Sequence, residues 1–329
     1  MTDTAFDVLG IGNAIVDVIA ETTDAFIAEQ KLDKGIMRLI DEDESTRLYG
    51  AMGPGIEVSG GSAANTIAGV AALGGRASFI GRVRNDELGD VFAHDIRAQG
   101  VSFKSAQATD GPLTARCLVL VTPDAQRTMN TYLGACIHLS ASDVDTDAVA
   151  ASRAVYLEGY LWDAPEGPAI FARAAEAAAK AGREVSMTLS DPFCVDRHRD
   201  DFLAFIRAHV DILFANEVEI ASLYQVENFD EAARRASDDV KIAALTRSEK
   251  GSVIVAGSGR TVVSAHSARV VDTTGAGDLY AAGFLYGYAT GASLERAGRI
   301  GSVCAGEIIS HIGARPRANL RTLIAEQLG

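Results

Sequence analysis

Short runs of apolar residues recur along the chain, and most of them end in glycine or a small polar residue. Runs of this length, bounded in this way, are typical of strands buried inside a parallel sheet. They cover residues 6–12, 77–81, 154–159, 185–190, 210–214, 242–246 and 252–256. Alanine-rich helical stretches lie between most of them, among them residues 62–73, 168–182 and 290–310. Strands that alternate with helices predict an α/β fold with three α/β/α layers and a mostly parallel central sheet.

Two regions break this rhythm. Residues 15–58 and 101–133 contain strand-like pieces of alternating polarity, such as 114–122 and 126–133. The segment TPDAQ between those two pieces predicts a hairpin turn. We therefore expect a small, half-exposed β-sheet that is split in sequence and joined in space. On these boundaries the small β lid comprises residues 15–58 and 103–133, and the large α/β domain comprises residues 1–14, 59–102 and 134–329.

Composition narrows the class of protein. The chain has 329 residues, of which 48% are apolar, and this is enough for a sizeable core. A formal net charge of −14 argues against a nucleic-acid or membrane partner, because both need clustered Lys and Arg. The chain shows neither a basic leader nor an apolar run of about 18 residues, so we expect no signal peptide and no membrane span. Four scattered cysteines without a CxxC pair are typical of reduced thiols in a cytoplasmic protein.

Motifs of several other enzyme classes are incomplete or missing. GIGNAI at residues 10–15 begins like a dinucleotide-binding fingerprint, but Ile15 stands where the third glycine is required. This argues against a dehydrogenase. GGSAA at residues 60–64 has Ala64 where a nucleophile elbow needs glycine. The chain contains neither a P-loop motif nor H-E-x-x-H.

Two polar stretches near the N-terminal end are candidates for ligand binding. Gly60 and Gly61 allow a backbone to pass close to a ligand, and Ser62 is predicted as the N-cap of a helix whose first turn carries Asn65. The turn after the first strand offers Asn13 and Asp17, at the end of the sheet where open α/β proteins bind ligands. The alternatives are an ordinary capped helix, and a turn with a solvated carboxylate.

The stretch VVDTTGAGDLYAAGFLYG, residues 270–287, combines an anion site with an acid. Gly275, Ala276 and Gly277 can point consecutive amides inward as an anion nest, and the following helix adds its positive end. A carboxylate beside a phosphate site is electrostatically unfavourable, so we expect Asp278 to have a task of its own. Such a task is accepting the proton of an attacking hydroxyl. We expect the helix N-terminus to keep Asp278 ionised. A simple first-turn helix acid is the alternative.

A further candidate pair follows the strand at residues 210–214. Asn216 and Glu219 have N-x-x-E spacing in a strand-to-helix turn. They could order a magnesium-bound water or a phosphate, because Mg²⁺ prefers a few carboxylates together with waters and substrate phosphates. A helix cap with a first-turn acid is the alternative.

Together these residues resemble the ribokinase-like (phosphofructokinase-B type) family of carbohydrate and nucleoside kinases. The stretch from Gly60-Gly61 to Gly74-Gly75 resembles its first signature, and DTTGAGD at residues 272–278 resembles its second. The resemblance covers nearly the whole chain in the expected order. It implies a ribokinase-like fold with a small β-sheet lid, ATP and Mg²⁺ as donor, and a small-molecule acceptor. The enzyme would be a monomer or a homodimer.

Within the family, residues 12–17, 189–193, 210–221 and 270–285 resemble the adenosine kinases. Those enzymes commonly carry Asn at the position of Thr274, and the hairpin QRTMNTYLGA departs from the animal members. The resemblance implies phosphorylation of the 5′-hydroxyl of adenosine to give AMP, a reaction of purine salvage. A sugar kinase acting on ribose or fructose is the alternative. A non-enzymatic nucleoside-binding protein is a further one, which an intact Asp278 and anion hole disfavour.

The resemblance also implies a role for each candidate residue. Asp278 would be the general base, and the anion hole for the γ-phosphate would consist of Gly275, Ala276 and Gly277. The acceptor's ribose would be held by Asn13, Asp17, Gly60, Gly61 and Asn65, and its purine ring by Met37, Leu133 and Phe193. Mg²⁺-ATP would be bound by Asn216, Glu219, Thr246 and Gly251. Carbonyls near Asp272, Thr274 and Gly313 would lie near a monovalent-cation site, for K⁺, that some members use.

Overall fold

The computed structural model describes residues 4–124 and 126–329. Its strands are β1 (Phe6–Ile11), β2 (Ile15–Glu21), β3 (Met37–Leu39), β4 (Ile56–Gly60), β5 (Ala77–Ile80), β6 (Val101–Phe103), β7 (Ala115–Val121), β8 (Arg127–Tyr132), β9 (Ser152–Glu158), β10 (Glu184–Thr188), β11 (Ile212–Asn216), β12 (Ile242–Thr246), β13 (Ser252–Ala256) and β14 (Gly259–Val263). Its α-helices are α1 (Asp24–Glu29), α2 (Glu42–Ala51), α3 (Ser62–Ala72), α4 (Glu87–Ala98), α5 (Thr146–Ala150), α6 (Gly167–Ala181), α7 (Pro192–His209), α8 (Glu217–Tyr224), α9 (Phe229–Asp239), α10 (Ala276–Ala289), α11 (Leu294–Ile308) and α12 (Leu320–Leu328).

The central sheet has nine strands within these ranges, in the order β14-β13-β12-β11-β10-β9-β1-β5-β6. The pairings from β6 to β12 are parallel, and only β13 and β14 add antiparallel pairings at one edge. Val8 and Leu9 are neighbours on β1, yet they belong to two different core clusters, because successive side chains point to opposite faces of a strand. Helices therefore cover both faces, and the predicted three-layer arrangement with a mostly parallel sheet is confirmed.

A second, smaller sheet contains five strands in the order β3-β8-β7-β2-β4. Strands β7 and β8 pair antiparallel, as the hairpin pattern predicts. The predicted turn TPDAQ includes residue 125, which lies outside the described residues. Val16, Val18 and Leu118 on one face of this sheet belong to the core cluster that includes Leu48 of α2. The smaller sheet is confirmed, while the lid boundaries at residues 15–58 and 103–133 stay a prediction.

Several helices depart from the sequence pattern. Residues 15–58 contain α1 and α2 besides the strand-like pieces, since Thr23 and Asp41 each accept a hydrogen bond from a first-turn backbone amide and cap these helices. The helix predicted from residue 290 begins at Leu294, because Ser293 caps it and the preceding residues end α10. Within the described ranges, no helix combines the length and the apolar character needed to cross a membrane.

Candidate active site

Asp278 lies where the N-termini of two helices meet. It belongs to the first turn of α10, directly after the Gly275-Ala276-Gly277 turn. Ser62 Oγ donates a hydrogen bond of 2.7 Å to its Oδ1, and Asn65 Nδ2 donates one of 2.9 Å to its Oδ2. The predicted N-cap role of Ser62 is wrong, because Gly61 occupies the N-cap position of α3. The Ser62 hydroxyl donates its hydrogen bond to the Asp278 carboxylate instead.

Opposing effects act on the ionisation of Asp278. Burial raises the pKa of Asp278, whereas hydrogen bonds from Ser62 and Asn65 and the positive charge of Arg315 act in the opposite direction. The expectation that the helix N-terminus keeps Asp278 ionised stays a prediction. A carboxylate with a raised pKa is better suited to accept a proton near neutral pH than an ordinary aspartate.

A cavity of about 760 Å³ opens beside Asp278. Thr188, Asn216 and Thr246 are the last residues of three neighbouring strands and line it, as expected for a ligand site at the carboxyl ends of a parallel sheet. Gly251 and Gly277 line it as well, and a Cβ at Gly277 would meet no protein atom within 4 Å. The volume lies within the usual range for small-molecule pockets, ~300–1,000 Å³.

Asn216 and Glu219 contact each other at the wall of this cavity. Asn216 Oδ1 accepts from the backbone amides of Val218 and Glu219, both at 2.9 Å. Glu219 in turn accepts from the Asn216 backbone amide at 2.9 Å and from Asn216 Nδ2 at 2.5 Å. The pair is thus a helix-capping box, which is the alternative that the spacing left open. Burial raises the pKa of Glu219 to about 7. Each carboxylate oxygen keeps a lone pair for a water molecule, so the pair fits water-mediated contact with Mg²⁺-ATP.

Asn13, Asp17, Gly60 and Gly61 come together on the other side of Asp278. A Cβ at Gly60 would lie 2.5 Å from Asp17 Oδ2, and one at Gly61 would lie 2.1 Å from the Asn13 carbonyl oxygen. Gly61 also has a φ of +97°, which favours glycine. The two glycines therefore allow the turn before α3 to pack directly on Asp17 and on the Asn13 turn. Burial raises the pKa of Asp17 to about 6, although Arg315 and Arg127 act to lower it.

Two arginines that the sequence analysis did not identify border the site. Arg315 donates to Asn65 Oδ1, and its Nη2 donates to the Ser59 carbonyl at 2.5 Å and to Ser59 Oγ at 2.9 Å. Arg127, the first residue of β8, donates to Asp272 and Thr274. The Nε atoms of both arginines are buried without an acceptor among the described residues. Neither arginine belongs to a motif. The only signal for Arg127 is its position at the start of a strand-like stretch.

Asp272, Thr274 and Gly313 are also brought together. Asp272 accepts from the backbone amides of Thr274 and Gly313, both at 3.0 Å, and pairs with Arg127. Burial acts to raise the pKa of Asp272, but the hydrogen bonds from Arg127, Gly313 and Thr274 outweigh it and lower this pKa. Arg127 thus already places a positive charge on this carboxylate. The monovalent-cation site stays a prediction.

The three residues predicted to contact a purine lie on separate elements. Met37 on β3 is 48% exposed, and Phe193 in the first turn of α7 is 73% exposed. Leu133 follows β8 and is half-buried. Met37 pairs in register with Met129, on the same face of the small sheet as Asp17. The purine slot stays a prediction.

Comparison with known proteins agrees with this geometry. Residues 40–320 match the family described as pfkB family carbohydrate kinase. The chain belongs to this family. Its fold is ribokinase-like, and the protein is a phosphotransferase with an alcohol acceptor. Membership implies ATP as the phosphoryl donor, typically with Mg²⁺.

Two solved structures are similar to this chain over nearly its whole length. The adenosine kinase from Sinorhizobium meliloti is 52% identical, covers 99% of this chain and 100% of its own, and has a TM-score of 0.90. A "probable sugar kinase protein" from Rhizobium etli CFN 42 is 51% identical, covers 98% of each chain, and has a TM-score of 0.91. The adenosine kinase of Saccharomyces cerevisiae is 27% identical over 92% of this chain and 94% of its own.

Proposed function

We propose that this kinase transfers the γ-phosphoryl group of Mg²⁺-ATP to the 5′-hydroxyl of adenosine and so produces AMP and ADP. The observation that carries the proposal is the position of Asp278. Ser62 and Asn65 hold its carboxylate beside the cavity at the strand ends, with Asp17 on the other side. The 52% identity with the adenosine kinase from S. meliloti supports adenosine as the acceptor.

In the proposed reaction, Asp278 accepts the proton of the acceptor hydroxyl while that oxygen attacks the γ-phosphorus. The bond from phosphorus to the β,γ-bridging oxygen breaks, and ADP leaves. Negative charge on the transferring group faces the amides of Gly275 and Gly277 and the positive end of α10. The Ala276 amide, the third member of the predicted anion hole, donates to the Thr273 carbonyl oxygen at 3.2 Å in this structure. Each oxygen of Asp278 accepts one hydrogen bond and keeps a lone pair for the proton.

The cavity beside Asp278 is the proposed binding site of the donor, ATP. Mg²⁺ would enter with ATP as part of the substrate, and Glu219, oriented by Asn216, would contact it through water. Thr246 and Gly251 contact the nucleotide. We also propose that the small sheet closes over the acceptor as a lid and excludes water, which would otherwise compete as the phosphoryl acceptor.

The face of the small sheet that carries Asp17 supports a nucleoside as the acceptor. Its strand pairing puts Met37 and Leu39 on this face, and they are 48% and 62% exposed. A free sugar would leave these side chains in water, whereas a purine ring would cover apolar surface beside the ribose. A sugar kinase acting on ribose or fructose is the second candidate, supported by the 51% identity with the R. etli protein.

The test is ADP release from Mg²⁺-ATP with a panel of acceptors: adenosine, guanosine, inosine, cytidine, ribose, fructose and none. We expect turnover with adenosine at a micromolar KM and little turnover with the free sugars. Turnover with a sugar and not with adenosine would contradict the proposed acceptor while leaving the role of Asp278 intact. ADP release that is independent of any acceptor would contradict both.

A further inference from the structure

Glu158 contacts two of the segments that connect the central sheet to the small sheet. It is the last residue of β9 and is 1% exposed. One of its oxygens accepts from Asn13 Nδ2 at 2.9 Å, and the other accepts from the backbone amide of Ala63 at 2.8 Å. Asn13 lies in the β1–β2 connection, and Ala63 lies in the first turn of α3, directly after β4. One carboxylate therefore holds both turns.

Packing leaves little room for any other arrangement of these turns. A Cβ at Gly12 would lie 2.4 Å from Glu158 Oε2, and a Cβ at Gly61 would lie 2.1 Å from the Asn13 carbonyl oxygen. The two turns thus contact each other backbone to backbone, with the carboxylate against both. A shift of either turn would displace Asn13 relative to Ser62 and Asn65, the residues that hold Asp278.

The chemistry of the two partners calls for a carboxylate at this position. Asn13 and Ala63 donate to different oxygens of Glu158, and these hydrogen bonds favour the carboxylate against the burial that raises its pKa to about 7. A carboxylate accepts at both oxygens. A glutamine would satisfy one donor and turn its own NH₂ toward the other. Because Glu158 takes the NH₂ of Asn13, the Asn13 amide has a single favourable orientation. Its Oδ1 is left buried without a partner among the described residues.

We propose that Glu158 is a positioning residue for the acceptor. It orients the amide of Asn13 so that Oδ1 is free to accept a hydrogen bond from an acceptor hydroxyl when the acceptor binds. It also holds the N-terminus of α3 at a set distance from Asn13, without touching the acceptor itself. The inference rests on the proposed phosphoryl transfer at Asp278 and holds for a nucleoside or a sugar.

The test compares Glu158→Gln, Asn13→Asp and the double variant that carries both changes and keeps the net charge of the wild type. The acceptor is whichever compound the wild type phosphorylates. We expect Glu158→Gln to raise the KM for the acceptor about 10- to 100-fold with the KM for ATP nearly unchanged, as for a lost hydrogen bond to a charged group. Asn13→Asp sets two carboxylates against each other and should do the same. In the double variant the new amide donates to the new carboxylate and still accepts from Ala63, so we expect most of the acceptor KM to recover.

Glu184→Gln is the matched control, since Glu184 begins the neighbouring strand β10 and accepts from the Tyr288 hydroxyl at 2.6 Å. It should leave both KM values near those of the wild type. Additive losses in the double variant, or equal rises in both KM values with a lowered Tm, would overturn the positioning role. If Glu158→Gln alone does not fold, a folded and active double variant still supports the pairing, and an unfolded one overturns it.

Discussion

The central sheet and the small sheet contribute to the candidate site in different ways. The central sheet presents the last residues of three strands, Thr188, Asn216 and Thr246, to the donor cavity. The small sheet contributes Asp17 and Arg127, whose contacts are with residues far away in the chain. The half of the site proposed to bind the donor is thus built from local strand-to-helix turns, and the half proposed to bind the acceptor from the packing of distant segments.

The two halves also differ in charge. Arg127 and Arg315 face Asp17 on the acceptor side, and burial still raises the pKa of Asp17 to about 6. Glu219 on the donor side is a buried acid within a local capping box. The half proposed to bind the acceptor therefore depends on long-range charge interactions and on the buried Arg127–Asp272 pair. Removing one partner of that pair should have a larger effect than removing a surface pair.

The largest expected effect comes from Asp278, which serves both halves. Asp278→Asn removes the proton acceptor and keeps the shape, so we expect kcat to fall by ~10²–10⁴ while ATP binding persists. Single-turnover kinetics and a nucleotide titration measure the two quantities. Glu295→Gln, which changes an exposed first-turn acid of α11, is the control. Near-wild-type turnover of Asp278→Asn would contradict the general-base role.

The next effect concerns the ion pair between Arg127 of the small sheet and Asp272 in the loop before α10. The side chains of Arg127 and Asp272 are only 11% and 5% exposed, so Arg127→Met leaves a buried carboxylate without its charged partner. We expect the free energy of unfolding to fall by roughly 3–5 kcal/mol, as for other broken buried pairs. Denaturant unfolding checks this, with the surface pair variant Arg260→Met as the control. Equal losses in the two variants would show that the buried pair contributes no more to stability than a surface pair.

Asp17 should show a trade-off between binding and stability. Since burial raises the pKa of Asp17 to about 6, the folded state holds this proton more tightly than the unfolded state, and stability falls as pH rises from about 4 through 6. Asp17→Asn should therefore be more stable than the wild type by up to about 3 kcal/mol near pH 8, with no difference near pH 3. Its KM for the acceptor should rise. Unfolding curves at several pH values measure the first effect, and Asp33→Asn, at an exposed acid, is the control.

The smallest expected effect tests how α3 assists Asp278. Ser62→Ala removes one of the two side-chain hydrogen bonds to this carboxylate, and that bond acts to lower its pKa. We expect the acid limb of the kcat profile to move to higher pH, because a hydrogen bond that favours the ionised carboxylate is lost. The pH dependence of kcat measures this shift. A limb that does not move would mean that Ser62 does not set the acidity of the base.

Some of this site could be predicted before any fold was available. The sequence GAGD places an anion nest and an acid within one turn, so local geometry alone makes Asp278 a candidate base. Asn216 and Glu219 were predictable as a pair for the same reason, although their mutual capping is visible only in the structure. The predicted N-cap role of Ser62 is wrong, because its hydroxyl donates to the distant Asp278 carboxylate. A hydroxyl at the start of a helix otherwise commonly serves as a cap.

By itself the sequence determined the alternation of strands and helices, the small second sheet and the pairing of Asn216 with Glu219. These follow from periodicity and from turn chemistry, which act over a few residues. Only the tertiary structure brought Arg127 to Asp272, Arg315 to Asn65 and Glu158 to Asn13. No local pattern encodes such contacts, because they depend on how separate segments pack and on which buried charges must then find partners.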